Sequence, residues 1–180
     1  MKGNAILYIA TSLDGYIADK EGGVGWLDRF DPPEGSDYGY ADFYALTGTL
    51  IMGRKTYEQV VGFDVDWPYP DRETIILTSD STLELSTPLT SVLSENIRAE
   101  LATLKQKSRK NIWVVGGANL VKRLMKFQFI DQIQLFQMPV ILGEGISLFP
   151  EGTPPASLEL LSIEKFDNGV TSSTFVIEKK

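Results

Sequence analysis

"IWVVGGANLVKRL", residues 112–124, decides how the rest of the chain is read: four strand-forming residues run into two glycines and then into a helical pattern. In α/β sheets such a junction brings backbone amides close to a phosphate. Glycine leaves room for the approach, and the N-terminus of the following helix favours negative charge. A strand-to-helix turn that needs glycine only for its backbone angles would look the same. The reading therefore turns on whether other strand ends carry matching chemistry.

Residues 5–10 form an almost wholly apolar run that suits a strand buried on both faces. Residues 49–52 repeat the pattern and stop at Gly53, after which RKTYEQVV restarts as a helix. TIIL at 74–77 is a third strand, ending in the polar turn TSDS. Aromatics at 40, 43 and 44 predict a helix over 38–46 capped by Ser36, and Ile97, Leu101 and Leu104 predict another from a Ser94 cap to about 107. Residues 130–138 alternate as a strand, and two alternating runs flank Asn168-Gly169 as a hairpin. The stretch between Leu13 and Ser36 is rich in Gly, Asp and Pro and reads as one long loop. Together these predict one α/β domain over residues 1–180, with a mostly parallel central sheet and an antiparallel C-terminal hairpin.

Two further strand ends match the glycine pair. LIMGRKTYE places Arg54, Lys55 and Thr56 at a helix start, where cations oppose the helix dipole unless an anion joins them. IILTSDS adds Thr78 and Ser79. Three such ends suggest an extended nucleotide, although no GxGxxG and no Walker lysine motif is present.

Composition narrows the chemistry. With no histidine and no cysteine, structural zinc, zinc deamination, thiol nucleophiles and Ser-His-Asp triads are excluded, and no metal site is expected. A formal charge of −7 argues against a nucleic-acid partner. No stretch approaches the roughly 18 apolar residues of a membrane span, and the expected location is the cytoplasm.

LIMGRKTYE after an aromatic helix, IILTS, WVVGGANL and DQIQLFQMPVILGEGISLF occur here in an order that resembles dihydrofolate reductase-like proteins. The resemblance is closer to the reductase (C-terminal) domain of the bifunctional riboflavin-biosynthesis deaminase/reductase, through SLDG at 12–15, a loop ending at Trp26, and P-x-x-x-G-x-G at 139–145. It implies a three-layer α/β/α fold and a nicotinamide dinucleotide, NADPH with NADH possible, that gives a hydride to a small heterocycle or ribosylamino-pyrimidine, as in 5-amino-6-(5-phosphoribosylamino)uracil reduction. Carried over, Gly53, Arg54, Lys55 and Thr56 would meet the phosphates, and Gly116, Gly117, Ala118, Asn119 and Leu120 the pyrophosphate. Leu77, Thr78 and Ser79 would line the adenosine side, and Thr11 and Ala18 the nicotinamide. The peptide bond between the paired glycines is commonly cis in such proteins.

Asp80 stands where many NADPH-using members place a base, and it repels a 2′-phosphate unless Arg54 or Lys55 offsets it. The acid with which folate reductases hold the pterin aligns, through Phe43, at Gly39, with Asp37 and Asp42 on either side. Asp42 is the candidate catalytic and substrate-binding carboxylate, or else a solvated helix residue. Trp26 is the candidate wall of the substrate site, or else a core anchor. Dihydrofolate reduction and a non-catalytic nucleotide-binding role are the alternatives. A homodimer is expected, because Ile133, Leu135 and Phe136 offer more apolar surface than one hairpin covers and riboflavin-type relatives pair.

Overall fold

The apolar run at the start of the chain becomes an interior strand. The computed structural model describes residues 2–178, and in it β1 (Ala5–Thr11) lies between two parallel neighbours, β6 (Asn111–Gly116) and β7 (Gln132–Gln137). Side chains alternate across a strand, so both faces of β1 must be apolar to be covered. Ala5 and Leu7 pack with Val121 and Leu124, whereas Ile6 packs with Phe43 and Tyr57. Each fully buried leucine here contributes about 1.5–3 kcal/mol.

The full sheet has eight strands in the order β5-β4-β3-β6-β1-β7-β10-β9, where β3 is Thr47–Gly53, β4 Glu73–Leu77, β5 Thr90–Leu93, β9 Leu158–Lys165 and β10 Thr171–Ile177. All pairings from β5 to β7 are parallel, and β10 pairs antiparallel with both β7 and β9. Helices α1 (Tyr40–Leu46) and α2 (Arg54–Val61) cover one face, and α3 (Ile97–Lys107) and α4 (Ala118–Lys126) the other. The predicted mostly parallel α/β/α sheet with an antiparallel C-terminal hairpin is therefore what the chain forms.

Several local expectations are corrected. The stretch read as one loop contains β2 (Tyr16–Ala18), which pairs antiparallel with β8 (Ile146–Ser147), and a 3₁₀ turn at Gly25–Arg29. α3 starts after Asn96, whose φ of +48° bends the chain into the helix, so Ser94 is not its cap. α1 is capped from Asp37 rather than Ser36: its carboxylate accepts from the Ala41 N–H at 2.7 Å. Ile133 and Phe136, each 3% exposed, lie in the protomer's own core with Leu135 packed beside them. Ile133 and Phe136 therefore offer no apolar face to a second chain, and Leu135 is half-buried.

Candidate functional site

Parallel strands end on the same rim, so β1, β3, β4 and β6 deliver Thr11, Gly53, Leu77 and Gly116 side by side. Gly53 is in register with Leu77, and Met52 with Gly116. A Cβ built on Gly117 would lie 3.2 Å from the Thr56 hydroxyl, and one on Gly53 would lie 3.9 Å from Leu120 Cβ. The two motifs 53–56 and 116–120, far apart in sequence, thus form one cradle. Gly116 (φ +141°) and Gly117 (φ +83°) adopt backbone angles that side chains resist; a Cβ on Gly117 would crowd the Thr56 hydroxyl, and one on Gly116 would meet Ile9 Cδ1 at 3.3 Å. Their peptide bond is trans, like every other among the described residues; two successive positive φ angles make the turn, and the cis form expected from the resemblance is absent.

The helices that open from this cradle differ from the other two. None of the four α-helices takes a side-chain hydrogen bond from its N-cap residue, but α2 and α4 also have no acid in the first turn, which leaves their N–H groups open toward the rim. α1 carries Asp42 and α3 carries Glu100 in the same position. α2 adds Arg54 and Lys55 to its positive end.

Arg54 bridges two carboxylates, its Nε 2.6 Å from Glu58 and a terminal nitrogen 3.0 Å from Asp80. The Glu58 hydrogen bond, with its charge, holds the guanidinium even more firmly protonated. Asp80 is kept below the usual carboxylate range chiefly by Thr82, whose hydroxyl and N–H it accepts at 2.7 and 2.9 Å, with Arg54 adding to this. Lys55 is exposed and stands in none of the ion pairs among the described residues. Thr78 is half-buried and Ser79 exposed beyond the end of β4.

At the other end of the rim, SLDG and PVILGEG prove to be halves of one structure. Asp14 accepts from the Ser12 hydroxyl at 2.6 Å and from the Leu142 and Gly143 N–H groups at 3.1 and 2.7 Å. These bonds, that from Ser12 foremost, hold its carboxyl below the usual range. At Gly145 a Cβ would meet the Ala18 carbonyl oxygen at 2.3 Å, so only glycine lets the loop lie against β2. This interlock fixes Thr11 and Ala18, 2% and 6% exposed, at the rim where β1 ends.

Next to it lies a cavity of about 360 Å³ lined by Tyr8, Asp37, Tyr38, Tyr40, Trp113 and Phe136, among others. Burial pushes the Tyr8 phenol well above its ordinary range, so it stays protonated. Asp37 is held below the usual carboxylate range, first by the Ala41 N–H and further by the Gly39 N–H at 2.8 Å. Asp42, the carboxylate picked from sequence, is exposed and does not line this cavity. Tyr40, Phe43 and Tyr44 take the inward positions of α1, and position 42 falls on its outer side. Trp26 lies outside the lining but packs on the adjoining cluster around Phe136 and Met138, with its buried indole N–H unpartnered. A larger cavity of about 660 Å³ opens at the far end, beside β5 and the end of α3, and contains none of these residues.

The sequence profile of the RibD C-terminal domain family matches residues 5–172. The uncharacterized protein YwjB of Bacillus subtilis (strain 168) is 41% identical over 170 residues, covering 94% of this chain and 96% of that protein. The crystal structure of a putative riboflavin biosynthesis protein from Shewanella sp. PV-4 superposes with a TM-score of 0.81 at 28% identity, over 99% of this chain and 100% of that one. A diaminohydroxyphosphoribosylaminopyrimidine deaminase/5-amino-6-(5-phosphoribosylamino)uracil reductase from Thermotoga maritima shares the fold, with a TM-score of 0.71 at 15% identity, over 98% of this chain and 57% of that one.

Proposed function

The chain belongs to the RibD C-terminal domain family, and on that premise we propose that it is a reductase using a reduced nicotinamide dinucleotide to reduce a small heterocyclic or ribosylamino-pyrimidine substrate. The observation that carries this reading is the pair of uncapped, acid-free helix N-termini of α2 and α4, facing one glycine-lined cradle. In a chain of net charge −7 such a pair suits a pyrophosphate and little else. The residues fit the group: open N–H groups of α2 and α4 and the Thr56 hydroxyl would hold its phosphates, Leu77 to Ser79 its adenosine, and Thr11 and Ala18 its nicotinamide.

Bound there, the nicotinamide would supply a hydride to an electrophilic C=N or C=O carbon, and a proton taken from solvent by the nitrogen or oxygen would complete the two-electron reduction. Tyr8 keeps its proton and can donate a hydrogen bond. Asp37 is ionised, so it accepts an N–H from the substrate rather than giving a proton. It takes the role first assigned to Asp42.

Quenching of tryptophan fluorescence by NADPH and NADH tests the reading. Wild type should bind at least one of them well below millimolar, and Arg54→Ala should lose about tenfold or more in affinity. Absence of binding to both would leave only a shared fold.

We further propose that a second copy pairs along β9. Leu158, Leu160, Leu161 and Ile163 on this edge strand are 43–66% exposed, and edges of this kind are normally covered. Light scattering that finds only monomers at micromolar concentration would refute the pairing.

A further inference from the structure

We infer that the substrate of the Asp37 cavity is a planar amino-heterocycle that carries no phosphate group. The inference rests on the reductase reading above and narrows it, since the ribosylamino-pyrimidine of the riboflavin route is a phosphate ester.

The lining contains one carboxylate and no lysine or arginine. Its walls are flat. Tyr8 meets Trp113 edge-on at 5.7 Å and lies 4.8 Å from Phe136, and Tyr40 meets Trp113 edge-on at 6.0 Å. Such walls favour the faces of a conjugated ring, and a carboxylate at the rim favours ring or amino N–H donors.

The segment that enters the lining through Asp37 and Tyr38 is acidic as well. The segment from Gly25 to Tyr38 carries Asp28, Asp31, Glu34 and Asp37 against the single cation Arg29, whose guanidinium lies 5.7 Å from the centre of the Phe30 ring. Lys20, on the neighbouring loop, is already paired with Glu144. The cations at the opposite end of the rim, Arg54 and Lys55, belong to the cradle.

This wall is built rather than floppy. The Tyr38 hydroxyl donates to the Phe30 carbonyl at 2.9 Å, and the Asn168 side chain, at the tip of the β9–β10 hairpin, donates to the Asp31 carbonyl at 3.0 Å and to the Tyr38 oxygen. The hairpin tip thus ties the acidic segment down beside the cavity that Asp37 and Tyr38 line. A phosphate cannot easily escape its charge by moving the segment aside.

The test is a matched pair of ligands, 5-amino-6-(ribosylamino)uracil and its 5′-phosphate, bound to the full-length chain and followed by calorimetry with and without oxidised cofactor. The unphosphorylated compound should bind at least tenfold more tightly in both settings, and with reduced cofactor its kcat/KM should be higher by a similar factor. Asp37→Asn should weaken the unphosphorylated compound and narrow the gap between the two. Equal binding, preference for the phosphate ester, or no binding of either overturns the inference. Failure of the cofactor to bind is a separate result, which defeats the reductase reading while the cofactor-free comparison still decides this one.

Discussion

The two ends of the rim are built by opposite means. The cradle end is made of backbone: glycines at 53, 116 and 117, two helix N-termini, and charged side chains that largely neutralise one another. The cavity end is made of side chains, five aromatic residues and one ionised carboxylate gathered from β1, β6, β7, α1 and the segment before α1. A backbone site can hold a ligand part common to many relatives, because its geometry belongs to the fold. A side-chain site can be exchanged residue by residue, so it is where members of one family diverge.

Gly117→Val should break this division most severely. A branched side chain at φ +83°, 3.2 Å from Thr56, adds about 1–3 kcal/mol of strain and blocks the cradle. Cofactor affinity should fall by about a hundredfold or more, while ligands of the cavity still bind without cofactor. Fluorescence and calorimetry on the same preparation check both halves.

Asp37→Asn probes the other end and should lower kcat/KM by about tenfold with cofactor affinity unchanged. Its pH behaviour is specific. Because the folded value is depressed, the carboxylate's contributions to α1 and to substrate binding are fully present above the unfolded value of about 3.9. They are lost only as pH falls through the lower folded value. Substrate affinity should therefore stay level from pH 7 to about 5 in a calorimetric series.

Asp80→Ala is a smaller perturbation at the cradle. It removes a negative charge beside Ser79 and releases one arm of Arg54, so NADPH should gain severalfold over NADH. An unchanged ratio would place Asp80 away from the 2′ position. Asp42→Asn should change kcat/KM by less than about twofold, because this carboxylate faces outward on α1.

The same contrast explains what the sequence discloses. β6 and α4 are legible because two glycines mark the point where periodicity changes from strand to helix. The same holds at Gly53 and Arg54, so both strand-to-helix turns are legible. β5 is four residues, Thr-Ser-Val-Leu, with no alternation to set it apart from the loops around it. β2 and β8 exist only because Asp14 and Gly145 bring two distant loops together. Ahead of α3, Ser94 has the residue type of a cap, but the helix starts two residues later, at the positive φ of Asn96. The cavity has no motif, since its walls come from five separate segments. Asp37 still left a trace: once Tyr40, Phe43 and Tyr44 are taken as the inward positions of a helix, position 42 faces away and an aspartate just before the helix is its natural cap.

If backbone amides at two helix starts hold the cofactor, hydrogen exchange measured with and without saturating NADPH or NADH reads those amides directly. Slowed exchange in residues 53–57 and 117–120 together, with little change around β5 and the end of α3, is the predicted result. Protection confined to the far cavity, or no protection at either helix start, would contradict the account.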